Sequence, residues 1–219
     1  MANDCCMMMF YGSQAPFLKQ YFEAMVEYST VASDKDVLQL MLNPVTRKEV
    51  EDKKKKLRGK MFTLAAKSFM RHDKNGDGVL SVDESKVFFE DYVAAFKSFA
   101  KPLNEKLGAI VMTKVRGVAT QEEVDATAKE IEKNKATAVE QAEAKLQKYL
   151  DNEEEYNKKA FAVVDKDGSG QLEMNEVCTA LLPDSHTNVD LLVALGLLPE
   201  EQAPMFKGLQ GGEEQCVVQ

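Results

Sequence analysis

The chain has 219 residues, 44% of them hydrophobic, with six prolines, no tryptophan and a formal net charge of −8. The length suits one large or two small domains, and the abundance of Ala, Glu, Lys and Met leans towards an all-α chain. The acidic balance argues against general nucleic-acid binding, which needs a basic face, and no stretch approaches the roughly 18 uninterrupted apolar residues of a membrane span.

Cys5, Cys6, Cys178 and Cys216 fit neither a disulfide framework nor a zinc-ligand spacing. Residues 1–15 are Met-rich and carry no signal that predicts order. They have no basic region and no apolar run of signal-peptide length. The expectation is a protein of the reducing cytosol. From Pro16 the pattern turns helical, with Phe17, Leu18, Tyr21, Phe22, Met25, Val26 and Ser29 on one face. A short helix through Val37, Leu38, Leu40 and Met41 is expected to stop at Asn43-Pro44.

Lys53 to Lys56, with Arg58 and Lys60, form a dense basic run just after Glu49, Glu51 and Asp52. It reads either as a solvated helix face with acid-to-base pairing or as a segment attracted to anionic lipid. The helix continues through Leu57, Met61, Leu64, Ala65, Ser68 and Phe69 into a loop that starts at Asp73.

That loop, residues 73–84, places side-chain oxygens at its positions 1, 3, 5, 9 and 12: Asp73, Asn75, Asp77, Ser81 and Glu84. Val79 at position 7 offers a backbone carbonyl, and Gly78 at position 6 permits a sharp turn. Ca²⁺ is a hard cation that takes six to eight oxygens at about 2.3–2.6 Å, and a 12-residue loop of this spacing can wrap it. An ordinary turn explains neither Glu84 nor Leu80 at position 8. Beyond the loop, Phe88, Phe89, Tyr92, Val93, Phe96 and Phe99 form the most aromatic stripe in the chain.

Pro102 is expected to break this helix, with a new one starting at Leu103. Residues 112–123 admit two readings. Gly117, Thr120 and Glu123 match positions 6, 9 and 12 of another loop, whose positions 1, 3 and 5 would be Met112, Lys114 and Arg116, unable to hold Ca²⁺. Alternatively Thr120 and Glu123 form a capping box at a plain helix junction. From residue 122 to about 161 the pattern predicts one long, Ala-rich amphipathic helix, suited to a connector.

Residues 165–176 repeat the first loop's pattern. Asp165, Asp167 and Ser169 take positions 1, 3 and 5, Gly170 takes 6, the Gln171 carbonyl 7, Glu173 9 and Glu176 12. An internal repeat of this kind is not chance. The two loops together hold six of the eight units of net negative charge. The second presents four carboxylates and is expected to bind more tightly. After Pro183, Val189 to Leu195 reads as a short apolar helix, followed by a loop-like remnant at 196–202. Residues 203–219 read as a flexible tail.

The last four residues are Cys216-Val217-Val218-Gln219. A cysteine, two aliphatics and a terminal Gln match the C-a-a-X prenylation signal, with Gln favouring a farnesyl group. One prenyl chain holds a protein only marginally, so a second signal is expected from Cys5, Cys6 or the basic run. Ala2 excludes N-myristoylation, which needs glycine there.

The two loops, with their flanking helices, resemble the EF-hand family, the superfamily of calmodulin and troponin C. The resemblance covers roughly residues 58–100 and 155–182. It implies an all-α fold, Ca²⁺ as cofactor, and hands that pair through their position-8 residues, here Leu80 and Leu172. The loops start 92 residues apart, at Asp73 and Asp165, so either they pair across a long insertion or each pairs with a degenerate hand. The expected organisation is an N-terminal hand region at 16–121, and a long helix with a C-terminal hand region at 122–202. No catalytic constellation stands out, and His72 and His186 read as isolated. The expected function is a calcium sensor on the cytoplasmic face of a membrane. It would uncover an apolar groove for a target helix. A calcium buffer and a calcium-stiffened membrane adaptor built on the long helix are the alternatives.

Overall fold

A computed structural model describes residues 16–31, 42–116, 120–204 and 207. The expected helix at 37–41, the segment 1–15 and the C-a-a-X box lie outside these residues. Among the described residues the fold is all-α, with seven α-helices and one two-stranded bridge.

Helix α1 spans Pro16–Thr30 and buries Leu18, Tyr21, Phe22, Ala24, Met25 and Val26. The expected face holds except at its end. Ser29 is exposed, and Thr30 is buried instead, its hydroxyl donating to the Val26 carbonyl at 2.7 Å.

Helix α2 spans Pro44–His72. Asn43-Pro44 opens this helix. The Asn43 side chain accepts from the Val45 and Thr46 N–H groups, and Pro44, lacking an N–H, sits where helical donors are orphaned anyway.

Helix α3 runs unbroken over Val82–Arg116 with Pro102 inside it. The expected break at Pro102 is therefore absent. A proline within a helix removes one backbone donor; here the cost is offset by packing of the C-terminal part of α3 against α4, Gln121–Asp151, where Lys97 meets Glu143 and Glu105 meets Lys135. Gly108 marks the closest approach: a Cβ there would lie 2.6 Å from Ile131 Cγ2.

Residues 112–116 are helical, and Thr120 and Glu123 form a reciprocal capping box at the start of α4. The reading of 112–123 as a hand therefore gives way to the helix junction; residues 117–119 lie outside the described set. The long helix expected at 122–161 is two helices. It breaks at Asn152, after which α5 spans Glu153–Val164 with Glu153, Glu154 and Glu155 in its first turn. Three carboxylates there complement the positive end of the helix dipole. Tyr149 and Tyr156 stack across the break with ring centroids 6.1 Å apart.

Helix α6 (Met174–Ala180) is short, and α7 (His186–Ala194) packs on α5 and α6. Gly196 ends α7 with φ +70°, a conformation open to glycine and costly for other residues. The segment 196–202 thus begins as a helix cap and ends in a 3₁₀ turn, Glu200–Gln202.

The strands β1 (Val79–Leu80) and β2 (Leu172–Glu173) pair antiparallel, with Leu80 opposite Leu172 and Val79 opposite Glu173. The two loops therefore pair with each other, across the α3–α4 hairpin. One apolar cluster runs from Leu18 and Phe22 through Phe69, Leu80, Phe88 and Tyr92 to Leu172, Val177 and Leu195.

Candidate metal centre

Each loop opens where its entering helix ends. The Asp73 N–H donates to the Phe69 carbonyl at 2.9 Å, and the Asp165 N–H to the Phe161 carbonyl at 2.8 Å. From there the chain folds back over the carboxylate at position 1. Asp73 accepts from the N–H groups of Gly76 (Oδ1, 2.8 Å) and Gly78 (Oδ2, 3.0 Å). Asp165 accepts likewise from Ser169 (Oδ1, 3.0 Å) and Gly170 (Oδ2, 3.0 Å). Gly78 and Gly170 make this possible with φ of 87° and 77°, a region that L side chains avoid.

The glutamate at position 12 closes each loop. Glu84 accepts from the Lys74 N–H at 2.8 Å, and from the Ser81 N–H and hydroxyl at 3.0 and 2.8 Å. Glu176 accepts from the N–H groups of Lys166 (2.9 Å) and Glu173 (3.0 Å). These contacts tie the first turn of each exiting helix to the far side of its loop. The Ser81 donors hold the Glu84 carboxyl below its ordinary pKa, and the Ser169 N–H does the same for Asp167. Both groups stay ionised, the state a hard cation requires.

The loops differ in readiness. Asp165, Asp167 and Glu176 each bring a carboxylate oxygen to within 4.8 Å of the others, the one such set of three among the described residues. In the first loop, Asp77 Oδ2 accepts from the Asn75 side-chain amide at 2.8 Å, so these two side chains bond to each other. Ser81 is engaged with Glu84, and Ser169 donates to the Gln171 carbonyl at 2.9 Å. Val79 and Glu173 sit opposite each other in the bridge. All twelve residues singled out in the sequence thus line two adjacent loops. The donors are carboxylate, amide, hydroxyl and carbonyl oxygens, which is the chemistry Ca²⁺ prefers.

The EF hand family model matches residues 64–87 and 158–177, each match running from the end of an entering helix through the loop into the exiting one. These two units are EF hands. Their cofactor is Ca²⁺. No curated protein and no solved structure matches the chain.

Some residues around the hands escaped the sequence reading. His72 is buried, with Nε2 3.1 Å from Asp91 Oδ2 and Nδ1 2.7 Å from the Ser68 carbonyl oxygen, so it braces α2 against α3 immediately before the first loop. Nothing in the local sequence pairs positions 72 and 91. The aromatic exit stripe is also not an open surface. Phe88, Phe89 and Tyr92 are fully buried, and the Phe22 ring lies 5.1 Å from Tyr92, 5.8 Å from Phe96 and 5.4 Å from Phe99. The Tyr21 hydroxyl donates to the carbonyl of Leu181, the residue that caps α6. Helix α1 therefore lies on α2, on α3 and on the end of α6, covering the face expected to receive a target.

Proposed function

We propose that the protein is a membrane-tethered calcium sensor whose groove for an amphipathic helix is held by its own helix α1. Asp73, Asn75, Asp77, Ser81 and Glu84, with the Val79 carbonyl, would hold one ion. Asp165, Asp167, Ser169, Glu173 and Glu176, with the Gln171 carbonyl, would hold the other. The observation that carries the reading is α1 itself, an amphipathic helix seated on α2, α3 and the end of α6. The tilt of α2 and α3 is set at the first loop, so charge neutralisation there acts on the walls that grip α1. A target helix would exchange with α1, and only the difference between the two fits has to be supplied. A farnesyl group on Cys216, as the C-a-a-X pattern suggests, would keep the sensor at the cytoplasmic face of a membrane. Mass spectrometry of the native C-terminus tests that part, and an unmodified Cys216 removes the farnesyl tether.

A second reading, a calcium buffer, is favoured by the depth of the α1 seat. Six of its apolar side chains are buried, and the larger ones contribute about 1.5–3 kcal/mol each, an upper estimate on the order of 10 kcal/mol. A ligand that binds one state ten-thousandfold better shifts an equilibrium by only about 5.5 kcal/mol. Retention on an apolar resin separates the two readings, measured with Ca²⁺ and with chelator, for the natural chain and for a Phe22→Ala variant with a loosened seat. A sensor is retained more strongly in Ca²⁺, and the variant more strongly still. Equal retention in both conditions for both proteins refutes the sensor and leaves the buffer.

The adaptor reading would dock a partner on residues 122–161. Helix α4 packs along α3, and α5 belongs to the second hand.

A further inference from the structure

Helix α2 stands apart electrostatically. It carries ten Lys and Arg against three acids, a net charge of +7, so the other 190 residues carry −15. At about 100° per residue, the buried side chains Thr46, Val50, Leu57, Met61, Leu64 and Ser68 lie on one side of the helix. The exposed lysines Lys48, Lys55 and Lys56 lie on the other, and the exposed Lys53 and Lys60 lie on its flank, nearer the buried side. The acids Glu49, Glu51 and Asp52 are exposed as well, so the positive balance is that of the ten bases around the helix against these three. The face is also apolar in places. Leu42, Val45, Phe62 and Met70 account for four of the six exposed large hydrophobics among the described residues. Val45 and Met70 fall within the lysine arc, Phe62 at its edge, and Leu42 just before the helix cap.

We propose that the solvent face of α2 is a docking surface for an anionic lipid bilayer. The inference extends the membrane reading above, but it rests on this helix alone and holds for a chain without a lipid on Cys216. Two features favour a bilayer over a polyanion such as RNA. The lysines are spread along a convex helix, where they meet a plane, and nothing walls them into a groove that tracks a single strand. The exposed Leu42, Val45 and Met70 add apolar surface among the charges, which gains most where charged headgroups border hydrocarbon. The strongly negative remainder, −15, is repelled by the same surface and sets the orientation. Filling both loops with Ca²⁺ removes four of those charges and weakens the repulsion, so calcium tightens docking through charge alone.

Co-sedimentation of the full, unprenylated chain with vesicles tests this. Vesicles of phosphatidylcholine containing about 30% phosphatidylserine are compared with pure phosphatidylcholine at about 0.1 M salt. Binding to the anionic vesicles is expected, with little to the neutral ones, and more with Ca²⁺ than with chelator. The triple variant Lys55→Gln, Lys56→Gln, Lys60→Gln should lose roughly a hundredfold in partitioning, about fivefold per lysine. Its helix content and calcium binding should be unchanged. Val45→Ser should lose several-fold on the same vesicles, which separates bilayer contact from bare charge attraction. Equal binding to both vesicle types overturns the proposal, as does a triple variant that binds like the natural chain. Displacement from the vesicles by poly(U) at equal phosphate concentration overturns it in favour of a nucleic-acid face. An unmodified native Cys216 would end the farnesyl tether without touching this result, and a failed vesicle assay leaves the tether standing.

Discussion

Removing one calcium site at a time should expose unequal partners. Glu84→Gln disables the first loop and leaves the second to be measured; Glu176→Gln does the reverse. The second loop presents Asp165, Asp167, Glu173 and Glu176, one carboxylate more than Asp73, Asp77 and Glu84. Two unit charges about 4 Å apart gain about 1 kcal/mol even in bulk water, and a divalent ion doubles that. About 2 kcal/mol corresponds to roughly thirtyfold in affinity. The geometry points the same way. Three carboxylates already converge within 4.8 Å in the second loop, whereas in the first Asp77 Oδ2 is engaged by the Asn75 amide at 2.8 Å. Isothermal titration of the two variants at about 0.1 M salt should therefore show the remaining site of Glu84→Gln binding roughly thirtyfold more tightly. Equal affinities, or the reverse order, would refute the argument from charge and readiness together.

Three further outcomes follow from the packing and the charges. Phe22→Ala deletes a ring that touches Tyr21, Tyr92, Phe96 and Phe99 and should cost about 3–5 kcal/mol in urea unfolding; a loss below about 1 kcal/mol would mean that α1 is not seated there. Gly108→Ala should cost about 1–3 kcal/mol because its Cβ meets Ile131, and adding Ile131→Ala should recover part of it; no recovery places the strain elsewhere. Glu90 on α3 is pushed up to about 7 from 4.5 by burial and by the neighbouring Glu153 carboxyl. Between these values the folded state holds a proton that the unfolded chain releases, so the contribution of Glu90 to stability is full below about pH 4.5 and is lost as pH rises towards 7. With the group only partly buried, the loss is about 1 kcal/mol after allowance for solvent. Glu90→Gln should flatten that slope in unfolding measured between pH 5 and 7, and an unchanged slope assigns it to other groups.

The metal loops were the most legible part of the chain, because a hard cation fixes donor types at fixed positions and only glycine fits the turn at position 6. The apolar face of α1 was nearly as plain, since its burial follows helical periodicity. Boundaries were harder. Asn43-Pro44 carries both a stop and a start signal, and what decides is whether the Asn side chain finds the N–H groups of Val45 and Thr46, which it does. Pro102 looked like a break because its local cost is certain, while the compensating contact with α4 comes from residues some thirty positions away. The break at Asn152 did leave a trace, an Asn followed by Glu153, Glu154 and Glu155, which is the pattern of a helix start. The partner of each hand was beyond the sequence, since both pairings satisfied the same residues. So was the cover over the aromatic stripe. Periodicity reports that α1 has a face to bury and is silent on which face it meets.

The bridge between Leu80 and Leu172 also dictates the order in which the chain can be built. On a ribosome, the first hand and its aromatic exit helix emerge long before the second hand exists, and at about 5–20 residues per second the wait is several seconds. During that interval the first loop has no strand to pair with, and Leu80 has no Leu172 to shield it. Helix α1 precedes the hand in sequence and is already available to lie over Phe88, Tyr92 and Phe96. The α3–α4 hairpin then forms from near neighbours and carries the second hand back to the first, which shortens the search across the intervening residues. The helix that covers the aromatic stripe in the finished protein is thus the first element available to shelter it in the growing chain.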